Sequence, residues 1–312
     1  MNPIDPTRRV ELRWVAGTAR VREEQTAMGD LAAGVVILAL LSLEFFRLGL
    51  YIARRRSRRF ANCTASLVLV LTVCFAMAVH GKLVLAVFLR VSNVIVLGNW
   101  IPLGAALLAG VAVGERSGWP LARANLAVLL LVAAWSTVGA DLLRRSPALD
   151  GPWSSNGVCM QTSPATCGPC SAVSLLYDCG IQATEREMTE LCLTGGTGTA
   201  PLGIYRGLRL KTRGTSWRVE VVSGTLDDLR RCDQWPVLGL LRKQEEPSRA
   251  ALPWLSRVGH TVVIYGFTDT GTLDVGDPGF GRSFWKAEEL AARWEGTGIR
   301  LVPREAPSPG KP

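Results

Sequence analysis

The chain is 312 residues long and holds only two histidines, His80 and His260. So few imidazoles leave little choice of general base for any nucleophilic chemistry. No G-x-x-x-x-G-K-[ST] run occurs, which excludes a P-loop nucleotide site. There are 8 cysteines but a single C-x-x-C, Cys167-Gly168-Pro169-Cys170. Cys159, Cys179, Cys192 and Cys232 are scattered, so a four-ligand structural zinc site lacks its second pair. Aromatic residues are 7% of the chain and do not interleave with a basic stripe, so the net charge of +9 and pI near 9.5 do not point to nucleic acid. Before Leu31 the chain carries Arg and Glu instead of a short apolar core with a small-residue cleavage site, so no cleavable signal peptide is read there.

What the chain does have is apolar length, concentrated between Leu31 and Leu143. Leu31 to Tyr51 matches the ~20 apolar residues that cross ~30 Å of hydrocarbon as a helix. Glu44 and Arg47 lie three apart within it, placed to pair on one helix face or to let Arg47 snorkel. Ala65 to Val113 is read as two helices whose turn falls either at His80-Gly81-Lys82 or at Arg90-Val91-Ser92-Asn93. A last span runs from about Leu121 to Ala140, which makes four, the first acting as an uncleaved anchor. Arg54, Arg55, Arg56, Arg58 and Arg59 follow span one, and basic short loops favour the cytoplasm. Both termini and the back half would then lie outside, against the opposing weight of Arg20, Arg22, Arg144 and Arg145. In that oxidising setting Cys159, Cys170, Cys179, Cys192 and Cys232 could partly pair.

The expected organisation is an N-terminal tail (1–30), a transmembrane α-helical bundle (31–143), a linker (144–152), a soluble domain (153–303) and a disordered tail (304–312). In the soluble domain, Val173, Leu176 and Tyr177 recur at helical spacing after the CGPC and Gly180 stops the helix, so Cys167 sits at a helix N-terminus. Thr184 and Glu187 form a capping-box pattern opening a second helix, and a third runs from about Leu202 to Lys211 after the loop Gly195 to Thr199. Then the period changes. Val219 to Val222 and Val237 to Leu241 read as strands with a short helix from Thr225 between them; His260 to Phe267 and Thr272 to Val275 flank the hairpin signal Asp269-Thr270-Gly271. Helices first and an antiparallel sheet second predict an α+β domain.

Three chemistries compete for the CGPC. A redox pair expects a preceding core strand and alternating βα units, and Gln161-Thr162-Ser163-Pro164-Ala165-Thr166 is no apolar strand. Zinc lacks ligands. A nucleophile needs a lowered thiol pKa, a histidine, a group to orient that histidine and donors for the oxyanion. A helix N-terminus supplies the first, and His260 is the one credible imidazole outside the apolar half. Asp277 lies at the end of the strand paired with that of His260, within reach of the imidazole; Asp274 is the competitor, and an Asp before Pro-Gly is ordinarily a turn former.

The run Gln161 to Ser171, then Gly259-His260-Thr261-Val262-Val263, then Gly276-Asp277-Pro278-Gly279-Phe280-Gly281, resembles the C39 peptidase family, papain-like cysteine peptidases best known as the leader-cleaving domains of bacteriocin exporters. The resemblance covers residues 155 to 303, with the motifs in order. It implies a papain-like α+β fold, cleavage after small residues such as a Gly-Gly pair in a leader or exported peptide, and no metal or organic cofactor. By position it assigns the nucleophile to Cys167, the general base to His260, the orienting carboxylate to Asp277 and the oxyanion-hole side chain to Gln161. With the spans it implies a multi-pass protein of the bacterial cell (inner) membrane, with the lipid bilayer and a peptide or protein substrate as partners, a separate transporter as a further candidate partner, and no nucleic acid. Two features depart from the family. Cys170 stands where a small residue is usual, and the domain follows the spans with no ATPase attached, so this chain is not by itself an ATP-driven exporter. A membrane-bound thiol oxidoreductase using Cys167 and Cys170, or a non-catalytic peptide-binding domain of C39 type, are the alternative functions.

Overall fold

The computed structural model describes residues 6–115, 118–143, 149–231, 235–242 and 259–304, with side chains from Met28 onward. Arg144 and Arg145, the first linker residues, Cys232, the 243–257 insertion and the tail from 305 lie outside the described residues.

The front half is helical. α1 (Pro6–Arg55) carries the first span and continues back through the segment expected to be a tail. α2 (Arg58–Ala78) follows after a turn capped by Ser57, whose hydroxyl accepts from the Phe60 amide. The stretch expected to hold one turn holds two breaks: α3 (Val84–Phe88) and α4 (Val94–Leu97) are single short turns, and the chain then enters α5 (Ile101–Gly114) at Pro102. Both candidate turns, 80–82 and 90–93, are therefore real, and α6 (Pro120–Leu142) completes the bundle. Met28–Arg55, Arg58–Ala78, Val94–Gly114 and Pro120–Leu142 are each long and apolar enough to cross a membrane. Glu44 and Arg47 pair at 2.6 Å on an exposed face of α1.

The bundle closes around α5, which packs along α1 and between α2 and α6. The contact is backbone-close: a Cβ on Gly49 would strike the Leu107 carbonyl, and one on Gly110 the Phe46 carbonyl. Small residues at such seams let transmembrane helices approach where hydrocarbon offers no hydrophobic drive.

The back half is a six-stranded antiparallel sheet with helices on both faces. Three helices come first: α7 (Cys167–Asp178), α8 (Glu185–Leu191) and α9 (Pro201–Lys211). The strands are β1 (Trp217–Ser223), β2 (Val237–Arg242), β3 (Gly259–Phe267), β4 (Leu273–Asp277), β5 (Gly281–Trp285) and β6 (Trp294–Pro303), in the order β1-β6-β2-β3-β4-β5. Between them lie α10 (Leu226–Arg230) and α11 (Ala287–Arg293). β2 is buried on both faces, which explains its unbroken apolar run. Leu238 and Leu240 join Val173, Leu176 and Ile204 under α7–α9, whereas Val237 and Leu241 join Leu229 and Leu290 under α10 and α11. The capping box expected at Thr184 is half made: Thr184 accepts from the Glu187 amide, but the Glu187 carboxylate goes to Lys211 at 2.7 Å. A complete box stands instead at Thr225 and Asp228.

The two halves meet through the broken 79–100 segment. α3 packs on β1 and α4 on α9, and Leu83, Leu85, Val94 and Val96 belong to the same buried cluster as the α7–α9 side chains. Arg209 donates to the Arg90 carbonyl at 2.7 Å and Arg213 to the Ser92 hydroxyl at 3.1 Å. The polar breaks at 80–82 and 90–93 let the short turns α3 and α4 form a platform for the back half, while Val94–Gly114 as a whole stays long and apolar enough to cross a membrane.

No disulfide joins the described cysteines; Cys63, Cys74, Cys159, Cys167, Cys170, Cys179 and Cys192 are all free thiols. The expected pairing of Cys159, Cys170, Cys179 and Cys192 is not present.

Candidate active site

Cys167 is the first residue of α7, so its amide belongs to the opening turn, whose N–H groups have no intrahelical acceptor. Pro169 is tolerated in that turn because it has no N–H to satisfy. The helix is held to β3 by Ser171, one turn on, whose hydroxyl donates to the Thr261 carbonyl at 2.9 Å. Gly168 lets α7 approach α9, since a Cβ there would come within 2.9 Å of Ile204 Cδ1.

His260 is the second residue of β3, and its Nε2 lies 2.9 Å from Asp277 Oδ2 at the end of β4. That contact leaves Nδ1 for the Cys167 thiol, which is near enough for thiol and imidazole to shift each other's pKa. Asp277 is 2% exposed and uses both oxygens: Oδ1 accepts from the Gly279 amide at 2.8 Å. The turn-forming role and the His-orienting position are thus filled by one side chain. The competitor Asp274 is engaged elsewhere, by Arg282 at 2.8 and 2.7 Å.

The electrostatics follow from this geometry. Burial alone would push the Cys167 thiol up, but His260 and the Thr261 amide and hydroxyl outweigh it and hold the thiol below its ordinary value of 9.0. Burial would likewise push the His260 imidazole down, yet its bonds to Asp277 and Cys167 raise it from 6.5 to about 9. Both shifts favour a thiolate–imidazolium pair. Cys170 is in the opposite situation: its interaction with Cys159 and its burial push that thiol far up, and it is fully buried.

Gln161 stands at the edge of the same site. Its amide donates to the Pro278 carbonyl at 2.9 Å, which ties its loop to the Asp277 turn. Its side-chain oxygen is buried with no hydrogen-bond partner among the described residues. Two contributors escaped the sequence pattern: Thr261, because a threonine in a strand is ordinary, and Ser171, because a serine in a helix is. The spacing Cys167 to Ser171, one helical turn, was the available signal. Among the described residues no three of His, Cys, Asp and Glu gather as a metal site.

No family model and no curated protein matches the chain. Solved structures similar to it include the peptidase domain of Streptococcus ComA, a bi-functional ABC transporter involved in a quorum-sensing pathway, at 21% identity and a TM-score of 0.40, covering 48% of this chain and 99% of that one. A double glycine motif protease from an AMS/PCAT transporter, in complex with the leader peptide, is similar at 16% identity and a TM-score of 0.39, covering 52% and 96%. The peptidase domain of Streptococcus mutans ComA is similar at 22% identity and a TM-score of 0.35, covering 47% and 99%. Likenesses of this size leave the activity to be argued from the site itself.

Proposed function

We propose that this chain is a membrane-anchored cysteine peptidase of C39 type, cleaving a leader or exported peptide after small residues of the Gly-Gly kind. The observation that carries it is the linked set Cys167, His260 and Asp277, with the thiol lowered, the imidazole raised to about 9 and the carboxylate at 2.9 Å. In this mechanism the Cys167 thiolate attacks the scissile carbonyl, and the oxyanion is held by the Cys167 amide and the Gln161 side chain. His260 protonates the leaving amine, then takes a proton from the water that releases the acyl group, while Asp277 holds its ring and its charge.

We also propose that the peptidase domain lies outside the cytoplasm. What supports this is connectivity. Arg54, Arg55, Arg56, Arg58 and Arg59 cluster at one end of the bundle, where Arg58 also meets Glu115, and the chain reaches the domain at the opposite end, after α6. A reporter active only in the cytoplasm, fused after Pro312, would have to stay silent.

The activity is tested by offering full-length protein in detergent a panel of fluorogenic peptides differing at the two residues before the cleaved bond. Cleavage confined to small residues, lost in Cys167→Ala and matched by His260-dependent iodoacetamide labelling of Cys167, supports the reading. Labelling without cleavage of any panel member favours the peptide-binding alternative, and a reversible Cys167–Cys170 disulfide favours the oxidoreductase.

A further inference from the structure

Behind the Gln161 loop lies a buried charged side chain that the mechanism above does not use. Glu185, the first residue of α8, is 1% exposed. Its Oε1 accepts from both the amide and the hydroxyl of Thr162, each at 2.9 Å. Thr162 is the residue after Gln161, so this double contact fixes the backbone that carries the oxyanion side chain. The same carboxyl group is roofed by the linker, where a Cβ on Gly151 would come within 2.7 Å of its Oε2, and it acts electrostatically on Cys170 of the nucleophile helix. Burying an acid costs several kcal/mol of solvation unless its contacts repay it, and here both hydrogen bonds come from Thr162, while Oε2 has no hydrogen-bond partner among the described residues.

We infer that Glu185 is a positioning residue for the oxyanion hole: through Thr162 it holds the Gln161 loop at the height of the Cys167 amide, so that the two donors converge on one oxygen. This rests on the peptidase reading. Glu185 is placed to touch neither the substrate nor the Cys167 thiol, and its effect on the oxyanion passes through the Gln161 loop. Oxyanion donors stabilise charge that develops in the transition state, so a displaced donor lowers kcat and leaves KM nearly unchanged.

The experiment compares full-length wild type, Glu185→Ala, Glu185→Gln, Gln161→Ala and the double variant Gln161→Ala/Glu185→Ala, all in detergent on one cleavable peptide. Glu185→Ala is expected to lower kcat by roughly 10–10²-fold, within the ~10²–10³ cost of losing the donor outright, with KM within about twofold. Glu185→Gln keeps most of the activity because its amide oxygen still accepts from Thr162. The double variant is no slower than Gln161→Ala alone. Multiplicative losses in the double variant, a Glu185→Gln as slow as Glu185→Ala, or a loss carried by KM would each overturn the inference. If Glu185→Ala does not fold, Thr162→Val, which removes one of the two donors, must show the same kcat loss and the same lack of addition to Gln161→Ala, or the inference falls. The rate of iodoacetamide labelling of Cys167 separates the two levels. It should be unchanged by every Glu185 variant, and its independence of His260 would sink the peptidase reading instead.

Discussion

The two halves of the molecule bury opposite things. In the bundle the large apolar side chains face outward: Leu40, Val70 and Leu129 are 59%, 57% and 64% exposed, while Ala105, Ala106, Ala109 and Gly110 are buried along α5. In the back half Leu176, Leu238, Val262 and Ile264 are at 0%. The inversion is what different solvents for the two halves would produce. Hydrocarbon solvates leucine as well as a protein core does, so the bundle uses its interior for small residues that bring backbones together. Water does not, so the domain turns its leucines inward, and buried polar groups such as Asp277 and Ser171 are held by hydrogen bonds.

That contrast can be broken most sharply at the thiol. Cys167→Ala should lower kcat by on the order of 10⁶-fold, as loss of a nucleophile does, whereas Cys170→Ala, a core truncation of one sulfur atom, should change kcat less than about fivefold at a stability cost near 1 kcal/mol. Equal losses would return the CGPC to redox chemistry. The two aspartates come next. Asp277→Ala should lower kcat roughly 10²–10⁴-fold with little change in KM, and Asp274→Ala, which frees only Arg282, should do little to either. The reverse ranking would place the orienting role on the wrong residue.

A pH titration sharpens the same point. The ion pair requires Cys167 deprotonated and His260 protonated, so kcat/KM should fall as pH rises through about 9. The His260 value is raised on folding, so its contribution to stability is full below the unfolded value near 6.5 and is lost as pH rises through about 9. In Asp277→Ala the alkaline limb should move to lower pH, because the largest contribution holding His260 up is gone. An unmoved limb would mean that the limb belongs to another group.

The bundle should respond differently. Gly110→Leu forces a side chain into the Phe46 backbone and should lower the melting temperature of the full chain by several degrees, with kcat per folded molecule unchanged. The smallest effect is expected at the platform. Arg213→Ala removes the bond to Ser92, worth about 0.5–1.5 kcal/mol, and should raise hydrogen exchange at 84–97 without altering KM. A kcat loss in either variant would mean that the bundle controls the site and does not merely carry it.

Much of the back half was legible because local patterns there agree with the fold. Helix periodicity placed α7, α8 and α9, β-rich runs placed β1 to β4, and the Asp269-Thr270-Gly271 turn placed the hairpin. β5 and β6 were not read. Gly281–Trp285 alternates too briefly to stand out, and Trp294–Pro303 opens with glycines that break the strand pattern. In the site, His260 was nameable because the chain has only two histidines, Cys167 because it opens a helix, and Asp277 and Gln161 were assigned by the resemblance to C39 peptidases. Thr261, Ser171 and Glu185 were not, because their parts depend on which backbone passes beside them.

By itself the sequence determined that the front half is apolar helix of spanning length, that the back half mixes helices with an antiparallel sheet, and that any histidine chemistry there must use His260. It did so because hydropathy and periodicity are local properties, and because two histidines leave little to choose from. Only the tertiary structure decided that α3 and α4 pack against the back half, that Asp277 lies 2.9 Å from the imidazole while Asp274 pairs with Arg282, and that Cys170 is fully buried. Each of these is a choice between near-equivalent residues. Such choices are made by strand register, helix phase and the docking of one element on another, which arise only when distant parts of the chain bury surface against each other.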